Sequence, residues 1–396
     1  MKWIKNISFI CFIVCAFSLI IPIKSIAQDS CKLRISVITC GVGDELYSIY
    51  GHSAIRIVDS CEGKDIVFNY GTFDFGDPDF YIKFTRGKLL YYLAAENFNS
   101  FLQTYIYEKR SVEEQVLNLT QNDALAVKSF LFNNIKEENK YYKYDFLFDN
   151  CSTRIRDLFS EIFKNRIRFN PIIPNDSISF REILDYYERN LHWERVGINI
   201  LMSNIVDRKM TSYESMFLPD YLMKGFDNAT LDGNQLVKTK HIILDNNQFP
   251  NKAINTPRLA FWGVLIFFIL ISLVPNLKIV LKVADVVLFS ILGLLGIFIL
   301  FMWFGTEHKV CAWNLNLIWA FPLHLIFVFY IISDAKQKTL YAKNAYWILI
   351  AGLFYSILSS QKFIHEITPL IILLLWRLHI HSKNQLLKNK FFFFKT

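Results

Sequence analysis

Apolar and polar positions divide the chain into three parts. A short apolar stretch, Ile7–Ile23, lies near the N-terminus, and a long apolar block follows Thr256. The segment between them, about 230 residues long, mixes apolar and polar positions and is long enough for one sizeable core or two small ones. This pattern excludes both a disordered chain and a simple soluble enzyme.

Within the mixed segment, alternation of apolar and polar residues predicts strands, and spacings of three and four residues predict helices. The strands are expected at Leu33–Ile38, Tyr50–Val58, Ile66–Gly71 and Arg110–Leu119, and the helices at Phe98–Glu108 and Gln121–Glu138, the latter capped by Thr120. The second and third strands form a hairpin around a turn at Asp59–Asp65. The segment Phe169–Pro257 carries no chemical signal and is expected to complete the domain.

The apolar block contains five stretches that we interpret as transmembrane helices. They are Leu259–Val274, Ile279–Phe304, Trp313–Ile332, Ala345–Leu358 and Ile367–Ile380, of which the second and third are long enough to span comfortably. If the first helix starts outside the cytoplasm, the segments predicted inside carry ten Lys and Arg residues and the outer loops carry two. The positive-inside rule therefore supports five helices with the C-terminal tail in the cytoplasm.

Two polar features of this block exceed what anchoring requires. Glu307 and His308 lie in a loop, Gly305–Cys311, which is expected at the non-cytoplasmic surface of the membrane. His324 is expected in the middle of the third helix. Polar groups inside a bilayer are costly and often functional. The alternative for His324 is a structural hydrogen bond between helices.

The N-terminus has the pattern of a secretory signal peptide. Two lysines precede the apolar stretch, and Ser25 and Ala27 supply the small residues that signal peptidase requires. The alternative is an uncleaved first membrane helix. In both cases the mixed segment is exported, where disulfides are favoured. The bridging of Cys31, Cys40, Cys61 and Cys311 stays open.

A further helix is predicted to begin at Cys151. Asp149 and Asn150 are favourable N-cap residues, and apolar residues recur after them at helical spacing. The amide groups and positive dipole end of a helix N-terminus stabilise a thiolate and can bind an oxyanion. Cys151 is therefore a candidate nucleophile, with His52 at the mouth of the hairpin as its base. The alternative is a small buried residue or half of a disulfide. We predict no metal site and no cofactor, because metal-ligand spacings and phosphate-binding glycine loops are absent from the sequence.

Several short motifs carry a resemblance to a known family. The motifs are Tyr50-Gly51-His52-Ser53, Asn69-Tyr70-Gly71, Phe84-Thr85-Arg86-Gly87-Lys88-Leu89, Asp149-Asn150-Cys151-Ser152-Thr153-Arg154, Gly305-Thr306-Glu307-His308 and Asn314-Leu315-Asn316-Leu317-Ile318-Trp319-Ala320. A histidine on a strand followed by an Asn-Cys step resembles the permuted NlpC/P60 and LRAT-like branch of the papain-like fold. Together the motifs resemble the Lnb-type bacterial lipoprotein N-acyltransferases over nearly the whole mature chain.

The resemblance implies acyl transfer to the N-terminal cysteine amine of lipoproteins at the outer face of the inner membrane. It carries over Cys151 and His52 as the catalytic pair. We add as supporting or substrate-contacting candidates Asn69, Tyr70, Asn150, Ser53, Arg154, Glu307 and His308. The implied partners are a membrane phospholipid or diacylglyceryl lipid as donor and diacylated lipoproteins as acceptors. The net charge of +8 is explained by topology rather than by nucleic acid.

We therefore expect an α+β protein in which a permuted papain-like exported domain precedes an all-α bundle of about five transmembrane helices. The expected boundaries are a signal peptide at 1–27, a periplasmic catalytic domain at 28–256, a helix bundle at 257–381 and a basic cytoplasmic tail at 382–396. Two other functions stay open. One is a membrane-anchored papain-like cell-wall peptidase or amidase, and the other is a non-catalytic exported binding module.

Overall fold

The computed structural model describes residues 32–174, 177–246, 253–359 and 361–390, and side chains up to residue 383. The predicted signal peptide and Cys31 lie outside the described residues. The α+β class is confirmed, because a sheet domain with helices on its faces precedes a region that is helical throughout.

An antiparallel sheet forms the centre of the exported domain. Its seven strands follow the spatial order β10-β5-β1-β2-β3-β4-β6. In chain order they are β1 (Leu33–Cys40), β2 (His52–Asp59), β3 (Lys64–Thr72), β4 (Leu90–Asn97), β5 (Val112–Leu117), β6 (Tyr141–Lys143) and β10 (Val237–Leu244). A small second sheet contains β7 (Ile167–Arg168), β8 (Thr230–Leu231) and β9 (Asn234–Gln235). The predicted strands and the hairpin are confirmed, whereas β4, β6 and β10 were not predicted.

Eight helices of the described residues belong to the exported domain. They are α1 (Phe80–Thr85), α2 (Phe98–Tyr107), α3 (Gln121–Asn134), α4 (Cys151–Phe163), α5 (Phe180–Tyr187), α6 (His192–Leu201), α7 (Ser212–Ser215) and α8 (Pro219–Asp227). The predicted helices α2 and α3 are confirmed, and the Thr120 side chain caps α3 by accepting a hydrogen bond from the Asp123 N–H. The segment without a chemical signal supplies α5 to α8.

The two faces of the sheet bury different side chains. On β1, Ile35 and Val37 belong to the core beneath α3 and α4, whereas Ile38 packs in a separate core with Phe101 of α2. Successive side chains of a strand point to opposite faces, so both sets are apolar when both faces are covered. The sheet is therefore the middle layer of three. This arrangement decides which strand residues can reach one another.

The C-terminal region contains five helices in the described residues. They are α9 (Thr256–Leu273), α10 (Lys278–Phe304), α11 (His324–Ile332), α12 (Gln337–Leu358) and α13 (Thr368–Lys390). Two segments are long and apolar enough to cross a membrane, Thr256–Leu273 with a mean hydropathy of 1.9 and Pro275–Phe304 with 2.7. Large apolar side chains such as Ile279, Phe304 and Ile357 are exposed on the outside of the bundle. Such a surface is stable in lipid rather than in water.

The third predicted transmembrane helix is not continuous, so that prediction is wrong. A short 3-10 helix, Leu315–Ile318, is followed by non-helical residues, and α11 has only 9 residues. A helix of that length reaches about 14 Å, roughly half of a bilayer core. Asn314 caps the 3-10 turn, and Pro322 lies just before α11. Non-helical backbone at this depth is tolerated only where protein surrounds it, and here Trp319 and Ala320 are fully buried.

His324 begins α11 rather than lying in the middle of a helix, so the expected position is also corrected. Its Nε2 bonds to the Trp319 carbonyl at 3.2 Å, and its Nδ1 lies 2.9 Å from the Tyr341 hydroxyl of α12. Both ring nitrogens are therefore used to join elements of the bundle. This favours the structural alternative for His324.

The exported domain is fastened to the bundle by polar contacts. Asn314 donates hydrogen bonds to the Ile200 and Leu201 carbonyls at the end of α6, at 2.8 and 3.0 Å. On a second loop, Glu366 pairs with Arg195 of α6 and accepts a hydrogen bond from Asn255 at 2.8 Å. The outer loop Gly305–Cys311 also takes part, because its Val310 carbonyl accepts a hydrogen bond from the Ser203 amide at 2.8 Å. Both loops that the charge count predicts to lie outside thus contact the exported domain, as the five-helix topology requires.

Candidate active site

Cys151 is the first residue of α4, as the sequence predicted. The Asn150 Oδ1 accepts hydrogen bonds from the Ser152 and Thr153 amides at 2.9 and 3.0 Å, and the Thr153 hydroxyl accepts one from the Asn150 amide at 2.7 Å. This reciprocal capping starts the helix at the thiol. It also occupies two of the amides that we had considered for an oxyanion. The Cys151 amide, which Asn150 does not bind, is the remaining candidate at this helix end.

His52 is the first residue of β2, directly opposite Cys40 of β1. The preceding residue, Gly51, has a φ of +81°, and a Cβ there would lie 2.7 Å from the Cys40 carbonyl oxygen. Only glycine fits such a close approach in this conformation. Gly51 therefore lets the chain enter the sheet so that the imidazole lies at its end, next to α4.

The thiol and the imidazole interact, and each changes the pKa of the other. Burial alone would raise the pKa of Cys151, but the positive charge and hydrogen bond of His52, together with the Ser53 amide, lower it overall. Burial alone would lower the pKa of His52, but the Cys151 thiolate and hydrogen bonds to Cys151 and Asn69 raise it overall. Both shifts favour a thiolate–imidazolium pair, the reactive form of a nucleophilic cysteine.

Asn69 on β3 orients the imidazole. Its Oδ1 lies 3.2 Å from the His52 Nε2, and its Nδ2 donates a hydrogen bond to the Glu96 carboxylate at 2.9 Å. Because a carboxylate only accepts, Glu96 fixes which end of the amide faces the histidine. The His52 Nε2 must then carry the hydrogen, which leaves Nδ1 to take the thiol proton. The row Cys151–His52–Asn69 has the arrangement of nucleophile, base and orienting group.

The structure separates the other sequence candidates by position. Ser53 and Ser152 are buried, and their hydroxyls lie 3.0 Å apart, which joins β2 to α4. Arg154 pairs with Asp149 and stacks over the Tyr142 ring, 3.9 Å from its centroid. Asn150 is occupied by the helix cap. These side chains hold the loop and the start of α4 in place.

Tyr70 lies on the opposite face of β3 from Asn69. Its hydroxyl donates a hydrogen bond to Asn134 of α3, and its ring belongs to the core beneath α3 and α4. Of the two neighbouring residues that we considered as a third member, the structure therefore places only Asn69 beside His52.

Among the described residues, the polar contacts of Glu307 and His308 are made with the segment after α1 and with Lys143 rather than with the thiol pair, and they fasten the outer loop to the exported domain. The Glu307 amide donates to the Arg86 carbonyl at 2.9 Å, and the His308 ring to the Thr85 carbonyl at 3.1 Å. The Glu307 carboxylate pairs with Lys143 at 2.7 Å. Two motifs that lie far apart in the sequence thus contact each other. The contact joins the segment after α1 to the loop that follows α10.

Three residues near the site were not found from the sequence. Glu96 lies on β4, which carried no recognised strand pattern. Gly71 has a φ of +90°, and a Cβ there would approach the Cys151 Cβ and the Tyr144 ring at 3.9 Å each. Gly71 belongs to the motif Asn69-Tyr70-Gly71, but the motif does not show where it lies. Only the fold shows that Gly71 and Tyr144 border Cys151.

Two other cysteines of the described residues, Cys40 and Cys311, are poorer nucleophiles than Cys151. Burial raises the pKa of the Cys40 thiol to about 12, and Cys311 is also buried. In the part of the chain that the structure describes, no group of three His, Cys, Asp or Glu side chains could hold a metal ion. Of Cys40, Cys151 and Cys311, Cys151 is the one whose surroundings lower the thiol pKa and so favour the thiolate.

The fold and the site define a class, namely a membrane protein whose exported α+β domain carries a candidate thiol nucleophile. The chain belongs to the Lnb family, because residues 26–184 match the family model of the Lnb N-terminal periplasmic domain and residues 249–389 match that of the Lnb transmembrane domain. The family resemblance inferred from the motifs is confirmed. The comparisons with curated proteins and with solved structures gave no match.

Proposed function

We propose that this protein is an acyltransferase that moves an acyl chain from a glycerolipid to the N-terminal cysteine amine of lipoproteins, through a thioester on Cys151. The observation that carries the proposal is the Cys151–His52 pair, in which each group shifts the pKa of the other towards the thiolate and imidazolium forms, in a chain that also contains a membrane-spanning bundle. The proposed location is the inner membrane, with the catalytic domain on the periplasmic side.

The first half-reaction transfers the acyl chain to the enzyme. The Cys151 thiolate attacks the ester carbonyl of the lipid, and the bond between that carbonyl and the glycerol oxygen breaks. The departing oxygen takes the proton from the His52 imidazolium, which gives a lyso-lipid and a neutral imidazole. The Cys151 amide is the candidate donor to the oxyanion that forms between these steps.

The second half-reaction transfers the chain to the acceptor. The lipoprotein amine attacks the thioester carbonyl, and His52 accepts a proton from the nitrogen. The carbon–sulfur bond breaks, which forms the amide and restores the thiolate–imidazolium pair. The Asn69 carbonyl oxygen holds the His52 Nε2 hydrogen throughout, so the same nitrogen, Nδ1, faces sulfur and substrate in both steps.

The membrane part supports a lipid substrate. Donor and acceptor both reside in the bilayer, and lateral access avoids moving acyl chains through water. Val310 of the outer loop and Tyr50, two residues before His52, both pack against the apolar core that contains Leu147, four residues before Cys151. The segments that carry the thiol pair and the outer loop thus share one apolar core, and the proposed thioester needs such surroundings to exclude water until an amine arrives.

Mass spectrometry of lipoprotein N-termini tests the proposal. Cells with the protein are expected to yield N-acylated lipoproteins, and cells without it or with Cys151→Ser are expected to yield free α-amines. Normal N-acylation in the Cys151→Ser strain would refute the proposal. Cleavage of cell-wall peptides by the purified protein would favour the peptidase alternative. If the strain without the protein had the same lipoprotein N-termini as the strain with it, the binding module would be favoured.

A further inference from the structure

The segment between β3 and β4 presents an apolar surface to solvent. Phe75 is 72% exposed, Tyr81 78%, Ile82 62% and Phe84 52%, and the last three lie on one short helix, α1. Four large apolar side chains in ten residues form a patch rather than a scattered set. Such patches mark binding sites for apolar partners.

The fold places this patch at the outer end of the bundle. The residues after α1 bond to the outer loop, with the Arg86 carbonyl accepting from Glu307 and the Thr85 carbonyl from His308. That loop directly follows α10, which ends in Trp303 and Phe304, and the Trp303 ring lies 4.8 Å from that of Trp313. Aromatic side chains are typical of the membrane interface. The patch therefore lies beside the outer loop, next to the end of α10.

A row of aromatic rings leads from the patch to the thiol. Phe84 stacks on Phe80 with centroids 6.0 Å apart, Phe80 lies 5.6 Å from Phe73, and Phe73 lies 5.2 Å from Tyr91. The Tyr91 ring is stacked on Tyr144 at 4.3 Å.

The row ends at the candidate nucleophile. Tyr144 lies 3.9 Å from the position of a Cβ on Gly71, which is in turn 3.9 Å from the Cys151 Cβ. Gly71 places no side chain of its own between the last ring and the start of α4. The rings form a continuous apolar row, here called the aromatic track, which begins at the exposed patch, passes through the buried Phe80 and Tyr91, and ends next to Cys151.

We propose that α1 inserts its exposed face into the outer leaflet and that the donor's acyl chain reaches Cys151 along this aromatic track. The inference rests on the proposed function and specifies how that site takes its lipid. An acyl chain on the track would stay in contact with rings instead of water, and its ester end would stop at Gly71 beside the thiol.

Photo-crosslinking tests the insertion without relying on activity. Full-length Cys151→Ser protein is placed in nanodiscs containing a phosphatidylcholine with a diazirine in its acyl chain, and cross-linked peptides are mapped by mass spectrometry. Cross-links are expected in residues 73–91 as well as on α9, and the additional changes Ile82→Glu and Phe84→Glu should remove the former and keep the latter. Labelling of α9 with none in residues 73–91 would overturn the proposal.

Acylation kinetics test the track. The rate of acyl-Cys151 formation is measured from a bilayer phospholipid and from the water-soluble p-nitrophenyl butyrate, in Cys151 protein with and without the double change. In the double variant, the rate with the phospholipid divided by the rate with p-nitrophenyl butyrate should fall at least tenfold. Leu125→Glu, at a comparably exposed position (54%) on α3, should leave this ratio unchanged. An unchanged ratio in the double variant would overturn the track. Cross-links in residues 73–91 without any acyl-Cys151 in the unaltered protein would refute the proposed function and leave the insertion standing.

Discussion

Replacing Asn69 by alanine tests how the imidazole is held. Asn69→Ala removes the oxygen that lies 3.2 Å from the His52 Nε2 and leaves that nitrogen without its partner at the end of the sheet. A hydrogen bond to a charged group contributes about 1.5–3 kcal/mol. At about 1.4 kcal/mol for each factor of ten, we expect the rate of Cys151 acylation to fall by about 10- to 150-fold.

Asn69→Ala should also change the pH range over which Cys151 reacts, in a defined direction. The Asn69 hydrogen bond raises the pKa of His52, so its loss lowers that pKa. The imidazolium charge in turn lowers the pKa of Cys151, so a weaker imidazolium raises the thiol pKa. Since the thiolate–imidazolium pair exists between the two apparent pKa values, its pH window narrows from both sides.

The assay is the pH profile of Cys151 alkylation by iodoacetamide, followed on the peptide that contains Cys151. In Asn69→Ala the acid limb is expected at higher pH than in the unaltered protein. Asn122→Ala, at an exposed position on α3, is the matched control, and a change of less than about threefold is expected. An Asn69→Ala protein with the original profile and rate would show that another group orients His52.

Three further predictions concern the nucleophile, the bundle and the topology. Cys151→Ser should lower acyl transfer by orders of magnitude with the fold intact, and adding His52→Ala should cost little more, because the two act as one unit; additive losses would contradict this. Gly296→Leu should lower the midpoint of thermal unfolding in detergent, because even a Cβ there would lie 2.2 Å from the Ala320 carbonyl oxygen. Gly263→Leu is the control, because a Cβ at Gly263 would meet nothing within 4 Å. Equal midpoints for the two variants would refute the packing argument. A reporter active only outside the cytoplasm, fused after Lys383, should be silent, and activity there would mean that the number of membrane crossings is not five.

Local sequence determined much of the exported domain. Alternation located β1, the hairpin and β5, and the Asn150-Cys151 step located the start of α4, because strand faces and helix caps depend on residues within a few positions of one another. The lysine and arginine bias predicts which loops lie outside, because that rule depends on the charges within each short loop. The Cys151 and His52 candidates followed from residue type and local context, without any knowledge of their separation in space.

Tertiary structure decided what distant segments do to one another. Only the packing of α4 against the end of β2 brings the thiol to the imidazole, and only the covered sheet faces separate Asn69, beside His52, from its neighbour Tyr70, which points into the core. The break before α11 depends on burial of its non-helical backbone by surrounding helices, which hydropathy does not report. The contact between Arg86 and the outer loop likewise joins two segments whose pairing depends on the whole chain, because many weak long-range contacts, rather than any local preference, stabilise it.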